Sequence, residues 1–123
     1  MPVQKQFAVR PVREFLESRR QPRFKLAVDI VIHSRTSGVL KGYTVDISES
    51  GVSAMLRVDL PVGDIVELDF ALPSGAVTIY AVVRQRSAFR YGFQFLESTV
   101  GNKAIRHTCR QFAVESMVSP DHH

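Results

Sequence analysis

The chain has 123 residues, 45% of them apolar and 23% charged, a length that fits one domain and hardly allows two. No stretch approaches the ~18–20 uninterrupted apolar residues of a membrane-spanning helix. The leading segment MPVQKQFAVRPVREF has no apolar run of signal-peptide length, so a cytoplasmic protein is expected. The single cysteine, Cys109, excludes an internal disulfide and any zinc site built on several thiolates. Charge is unevenly placed. Residues 1–25 hold seven basic and two acidic groups, a net of +5, and the remainder holds nine basic and ten acidic groups, a net of −1. A positive segment on a near-neutral body points to an anionic partner met at one place, and away from a basic stripe that wraps a long nucleic acid.

Residues 1–18 are expected to form a basic, flexible arm, with VREFLE after Pro11 able to make a short helix that has proline at its first position. From Phe24 the chain shows period-two alternation, the signature of strands with one buried face. In FKLAVDIVIH the inward set is Phe24, Leu26, Val28, Ile30 and Ile32. VLKGYTVDI gives Val39, Tyr43, Val45 and Ile47, and GVSAMLR gives Val52, Ala54 and Leu56. DIVELDFAL gives Val66, Leu68, Phe70 and Leu72. AVTIYAVV gives Val77, Ile79, Ala81 and Val83, and FRYGFQF gives Phe89, Tyr91, Phe93 and Phe95. Turn residues separate the six segments at 34–38, 48–51, 61–64, 73–75 and 86–88. Short strands so punctuated predict an all-β antiparallel sandwich or small barrel, and the lack of strand–helix alternation disfavours a Rossmann-like sheet. After Ser98, a candidate N-cap, Ile105, Cys109 and Phe112 recur at near-helical spacing and predict a C-terminal helix laid on the β-structure. A single domain over 19–117 and a disordered tail over 118–123 complete the expected organisation.

Two stretches carry chemistry. In SRRQPRF, Arg19 and Arg23 are four apart and project to one side whether the chain is helical or extended. Pro22 pushes Gln21 away from helical angles, so a loop entering the first strand is expected. Arginine is suited to this position, because its planar fork bonds a phosphate or a guanine O6/N7 edge in two places and its face stacks on a base. In DISESG, Asp46 and Ser48 are expected to point outward together at a strand end, with Gly51 permitting a close backbone approach. A carboxylate there accepts from guanine N1–H and N2–H₂ or orients an arginine, and a hydroxyl can donate to phosphate.

These two stretches, RRQPR and DISESG, in this order and within six alternating strands, resemble the arginine and Asp-x-Ser-x-x-Gly motifs of the PilZ domain family, which binds cyclic di-GMP. The resemblance runs from about Ser18 to Glu97 and includes the closing YGFQFLE strand. It implies a six-stranded antiparallel β-barrel with a C-terminal α-helix. It also implies a cyclic di-GMP site in which Arg19 and Arg23 meet phosphate and guanine, Arg20 adds a cation, Asp46 and Ser48 line the barrel side and Gly51 shapes the turn. In the family the residue before the arginine motif bears on whether one ligand or a stacked pair binds; here it is Ser18, neither bulky nor charged, and stoichiometry stays open. The output would pass through a partner protein of motility, pilus or exopolysaccharide machinery.

Other readings are weighed beside this one. The sequence shows no nucleophile–base pattern, no phosphate-cradling glycine loop and no metal-ligand spacing, so no enzyme, cofactor or metal is expected. His107 and Cys109, two apart on a helix, do not face each other, and Cys109 falls on the apolar stripe. His33 lies on an outward strand face without an obvious partner. A single-stranded nucleic-acid binder on an OB-like barrel would need exposed strand aromatics, of which Tyr80 is the main candidate. A PilZ-like module that contacts proteins independently of nucleotide is the third reading.

Overall fold

Alternation of β-branched and aromatic residues with polar ones builds the strands in the computed structural model, which describes residues 21–96 and 99–118. The arm over 1–18, Arg19, Arg20, Ser98 and the tail beyond Val118 lie outside these residues. The elements are β1 (Phe24–Lys25), β2 (Asp29–Ser34), β3 (Gly38–Ile47), β4 (Gly51–Met55), β5 (Ile65–Leu72), β6 (Gly75–Ser87), β7 (Arg90–Phe95) and α1 (Thr99–Val118). All strand pairs are antiparallel, in the order β1-β3-β2-β5-β6-β7-β4, and a β3–β4 pairing closes the ring. β1 and β2 occupy one strand position, so the architecture is the six-stranded barrel with one C-terminal helix. Closure removes free sheet edges.

The expected inward sets of the first, third, fourth and fifth segments form the core: Ile30, Ile32, Val52, Ala54, Leu68, Ile79, Ala81 and Val83 are all buried. Turn glycines sit where left-handed backbone is required, at Gly38, Gly63 and Gly75. Ala88 takes the same φ sign in the tight β6–β7 turn, and the next turn residue, Phe89, is exposed rather than in the core set that alternation predicts for it.

The second segment departs from expectation. Val39 and Tyr43 are 64% and 57% exposed, while Leu40 and Thr44 are buried. The cause is a β-bulge: Thr44 faces Ala54, Asp46 faces Ser53, and Val45 is the extra residue between them. One inserted residue reverses the phase, so the faces before and after the bulge are opposite. The bulge also splits the first strand. Opposite it, Val28 N donates to Thr44 Oγ1 (2.9 Å), Thr44 N donates to Val28 O (2.8 Å), and Thr44 Oγ1 donates to Leu26 O. A buried hydroxyl thus supplies the bonds that the interrupted ladder cannot.

Helix α1 lays Ile105 and Cys109 into the core and sets the Phe112 ring against Phe24 in a tilted pair, 5.7 Å between centroids. Gly101 lets it approach β6, since a Cβ there would sit 3.2 Å from Ile79 Cδ1. Burial and the charge of Glu49 push the Cys109 thiol up to about 11, which fits a packing residue. At the other side of the core, Tyr91 is fully buried; its hydroxyl donates to Val58 O (2.9 Å) and accepts from Leu60 N (3.1 Å). It pins the loop between β4 and β5.

Tyr91→Phe and Thr44→Val each leave buried backbone groups without a partner, at an expected cost of about 1–3 kcal/mol. Urea unfolding should show a lower midpoint at unchanged slope for both variants.

Candidate functional site

The bulge that reverses β3 turns Asp46 onto the outer barrel surface, where three strands meet it. Arg23, at the entrance to β1, donates to Asp46 Oδ1 from Nε (3.0 Å) and Nη2 (2.8 Å). Arg90, the first residue of β7, donates from Nη2 to Asp46 Oδ2 (2.9 Å). Ser53, the β4 partner of Asp46 in register, donates from Oγ to Oδ1 (2.7 Å) and accepts from Arg90 Nη2 (3.3 Å). One carboxylate therefore gathers two guanidinium groups and a hydroxyl.

Burial of the Asp46 carboxyl pushes its pKa up. The hydrogen bonds from Arg23 and Ser53, with the charges of Arg23 and Arg90, outweigh this and hold it below its ordinary 3.8. The expected pairing of the arginine loop with Asp46 is present for Arg23.

Ser48 is placed differently from expectation. Alternation predicts it outward beside Asp46, yet it is buried, 1% exposed. Regular alternation stops at Ile47, where β3 ends, and the chain tucks Ser48 beneath the β3–β4 loop. Its amide donates to Gly51 O (2.8 Å), and its hydroxyl accepts from Ser50 N (3.3 Å). Ser48 builds the loop, while Ser50 and Gly51 face the cavity beside it. Gly51 is required by close approach, since a Cβ would lie 2.3 Å from Phe93 O.

A cavity of about 450 Å³ lies over β4, β7 and the end of β6, and Arg23, Ser53, Arg84, Arg90 and Gln94 are among its lining side chains. Ser53, Arg84 and Arg90 escaped the sequence reading, because nothing local to them signals that the barrel brings them to Asp46 and Arg23. Cross-strand register was the only available pointer, and the bulge in β3 concealed it. On a separate face, His33 does have a partner: its Nε2 lies 2.8 Å from Asp69 Oδ2, and Asp69 also accepts from Thr78 Oγ1 (2.6 Å). Among the described residues no group of three or more His, Cys, Asp or Glu side chains is placed to hold a metal, and no helix is long and apolar enough to cross a membrane.

The architecture is thus a closed six-stranded antiparallel barrel with one C-terminal helix and an arginine–aspartate pair on its outer face. The sequence matches the PilZ domain family over residues 17–111, and the chain belongs to that family. No curated protein matches the sequence. Among solved structures, the chain is similar to YcgR in complex with c-di-GMP from Escherichia coli, with a TM-score of 0.68 and 17% identity over 83% of this chain and 49% of that one. It is similar to the isolated PilZ domain of Escherichia coli YcgR with c-di-GMP, with a TM-score of 0.65 and 15% identity over 85% of this chain and 98% of that one. The Bacillus subtilis inhibitor of motility MotI/DgrA gives a TM-score of 0.67 and 17% identity over 78% of this chain and 51% of its own. The chain thus spans about half the length of MotI/DgrA and of full YcgR, and nearly all of the isolated domain. At these identities the likeness is one of fold.

The lowered Asp46 pKa sets a pH dependence. A carboxyl held below its unfolded value stabilises the fold where it is ionised, and that contribution is lost as pH falls through the folded-state value. Wild type should exceed Asp46→Asn by no more than about 1 kcal/mol in urea unfolding near pH 7, and the gap should close as the pH drops below about 4.

Proposed function

We propose that this chain is a non-enzymatic receptor for cyclic di-GMP, held by the arginine loop against the outer barrel face at Asp46. The observation that carries the reading is the contact at the edge of the cavity in which Arg23 Nε and Nη2 both donate to Oδ1 of Asp46. Family membership and the neighbours solved with c-di-GMP support it. The ligand is a dianion that displays guanine edges, so forked, charge-assisted hydrogen bonds dominate its capture. Arg23 meets ligand acceptors, either in exchange for Asp46 or while Asp46 holds it in place, Arg19 supplies the second fork of the motif, and Arg20 adds charge. Asp46 accepts from the guanine or orients Arg23, and Ser48 and Gly51 hold the loop that carries Ser50 to the rim.

Output follows from ordering. The ligand draws the basic arm over the barrel, and the altered surface is read by a partner protein, with motility, pilus and exopolysaccharide machinery as the candidate processes.

Calorimetric titration with cyclic di-GMP, with GTP, cyclic di-AMP and single-stranded DNA as competitors, tests the ligand. Binding should be selective for cyclic di-GMP, and Arg19→Ala and Arg23→Ala should each weaken it by about tenfold or more. Wild-type affinity in both variants would show the site to be wrongly assigned. Hydrogen exchange across residues 5–25 should slow on addition of nucleotide; unchanged exchange in a protein that binds would remove the ordering step and spare the receptor.

A further inference from the structure

Beyond the two motifs, the cavity has a second bank. Arg84 is the extra residue at the irregularity between Val83 and Gln85 in β6, so it stands beside Gln85 on the outer surface instead of alternating with it. Arg84 Nε donates to Gln94 Oε1 (2.5 Å), a neutral partner, and among the described residues no carboxylate pairs with it. Arg90, one strand nearer β3, shares Asp46 with Arg23. Among the described residues the cavity is therefore lined by three guanidinium groups, and Asp46 is the one carboxylate bonded to any of them, a balance of +2 within that set. From β3 to β6 is three strand spacings, roughly 14 Å, which puts Arg84 well beyond the reach of Arg23 and on the far side of any ligand that Arg23 holds. Between them Gly92 faces Ser53 and Gln85 in register and offers no side chain of its own.

We propose that Arg84 and Arg90 form a second anion-binding bank, which grips the distal half of the bound dinucleotide through a bidentate acceptor, a phosphodiester or a guanine O6/N7 edge. The inference rests on the reading of this cavity as the cyclic di-GMP site, and it adds two ligand residues that neither motif contains. Arg90 leaves Asp46 for the ligand, so that the carboxylate keeps the bank folded over until the ligand arrives. Arg84 trades Gln94 for the ligand without disturbing Asp46. It is the cleaner probe, because its loss removes a contact and not a support.

Calorimetry of the full chain with cyclic di-GMP at several salt concentrations tests the bank. Arg84→Ala and Arg90→Ala should each weaken binding by about tenfold, and the pair by about a hundredfold. Arg90→Lys, which keeps a charge for Asp46 but loses the fork, should recover only part of the loss. Ser53→Ala separates support from contact: it removes an Asp46 partner and no cation, so it should leave the salt dependence of binding unchanged. A shallower salt dependence in Arg84→Ala assigns that residue to a phosphodiester, and an unchanged one assigns it to a guanine edge. Wild-type affinity in both alanine variants, in a protein whose Arg23→Ala variant has lost binding, overturns the bank and leaves the receptor reading standing. A wild-type protein that takes up no cyclic di-GMP overturns both.

Discussion

The extra residue in β3 is the constraint from which the site follows. Without Val45 as a bulge, Thr44 and Asp46 would share a face, and a carboxylate facing outward would put a threonine there too. With it, Thr44 turns into the core to repair the split first strand, and Asp46 turns out to face Ser53. A single backbone irregularity thus couples a structural hydroxyl to a surface carboxylate. It also explains why β1 and β2 are separate elements, since opposite the bulge the regular ladder gives way to two backbone bonds and two bonds to the Thr44 hydroxyl.

The electrostatics build on that geometry. Asp46 is partly buried, which by itself disfavours its charge, yet two guanidinium groups and a hydroxyl keep it ionised. The ions contribute more to arrangement than to stability, because Arg23 and Arg90 are half-exposed and surface pairs are worth little. What the cluster achieves is placement: long arginine side chains from β7 and from the chain entering β1 are held at one point beside a cavity.

Much of the barrel was legible from residues alone. Strands with uninterrupted alternation, such as Val66–Leu72 and Val77–Val83, were read with the correct buried face. Where the period slips, alternation misleads: it predicts Val39 and Tyr43 in the core, and they are exposed, because a bulge leaves no compositional mark. Ser48 was misplaced for a related reason. Alternation holds only while the strand lasts, and its end at Ile47 is set by the loop hydrogen bonds of Ser48, Ser50 and Gly51. The same limit hid the partner of His33, which lies 36 residues along the chain on a neighbouring strand.

The sequence determined the strand count, the helix, the basic leading segment and the two short motifs, because each is written in local spacing or composition. Tertiary structure alone decided that Ser48 turns inward and that Ser53, Arg84 and Arg90 stand near Asp46. Those facts depend on cross-strand register and on backbone bulges, and register is fixed by hydrogen bonds between residues far apart in the chain, which no local pattern records.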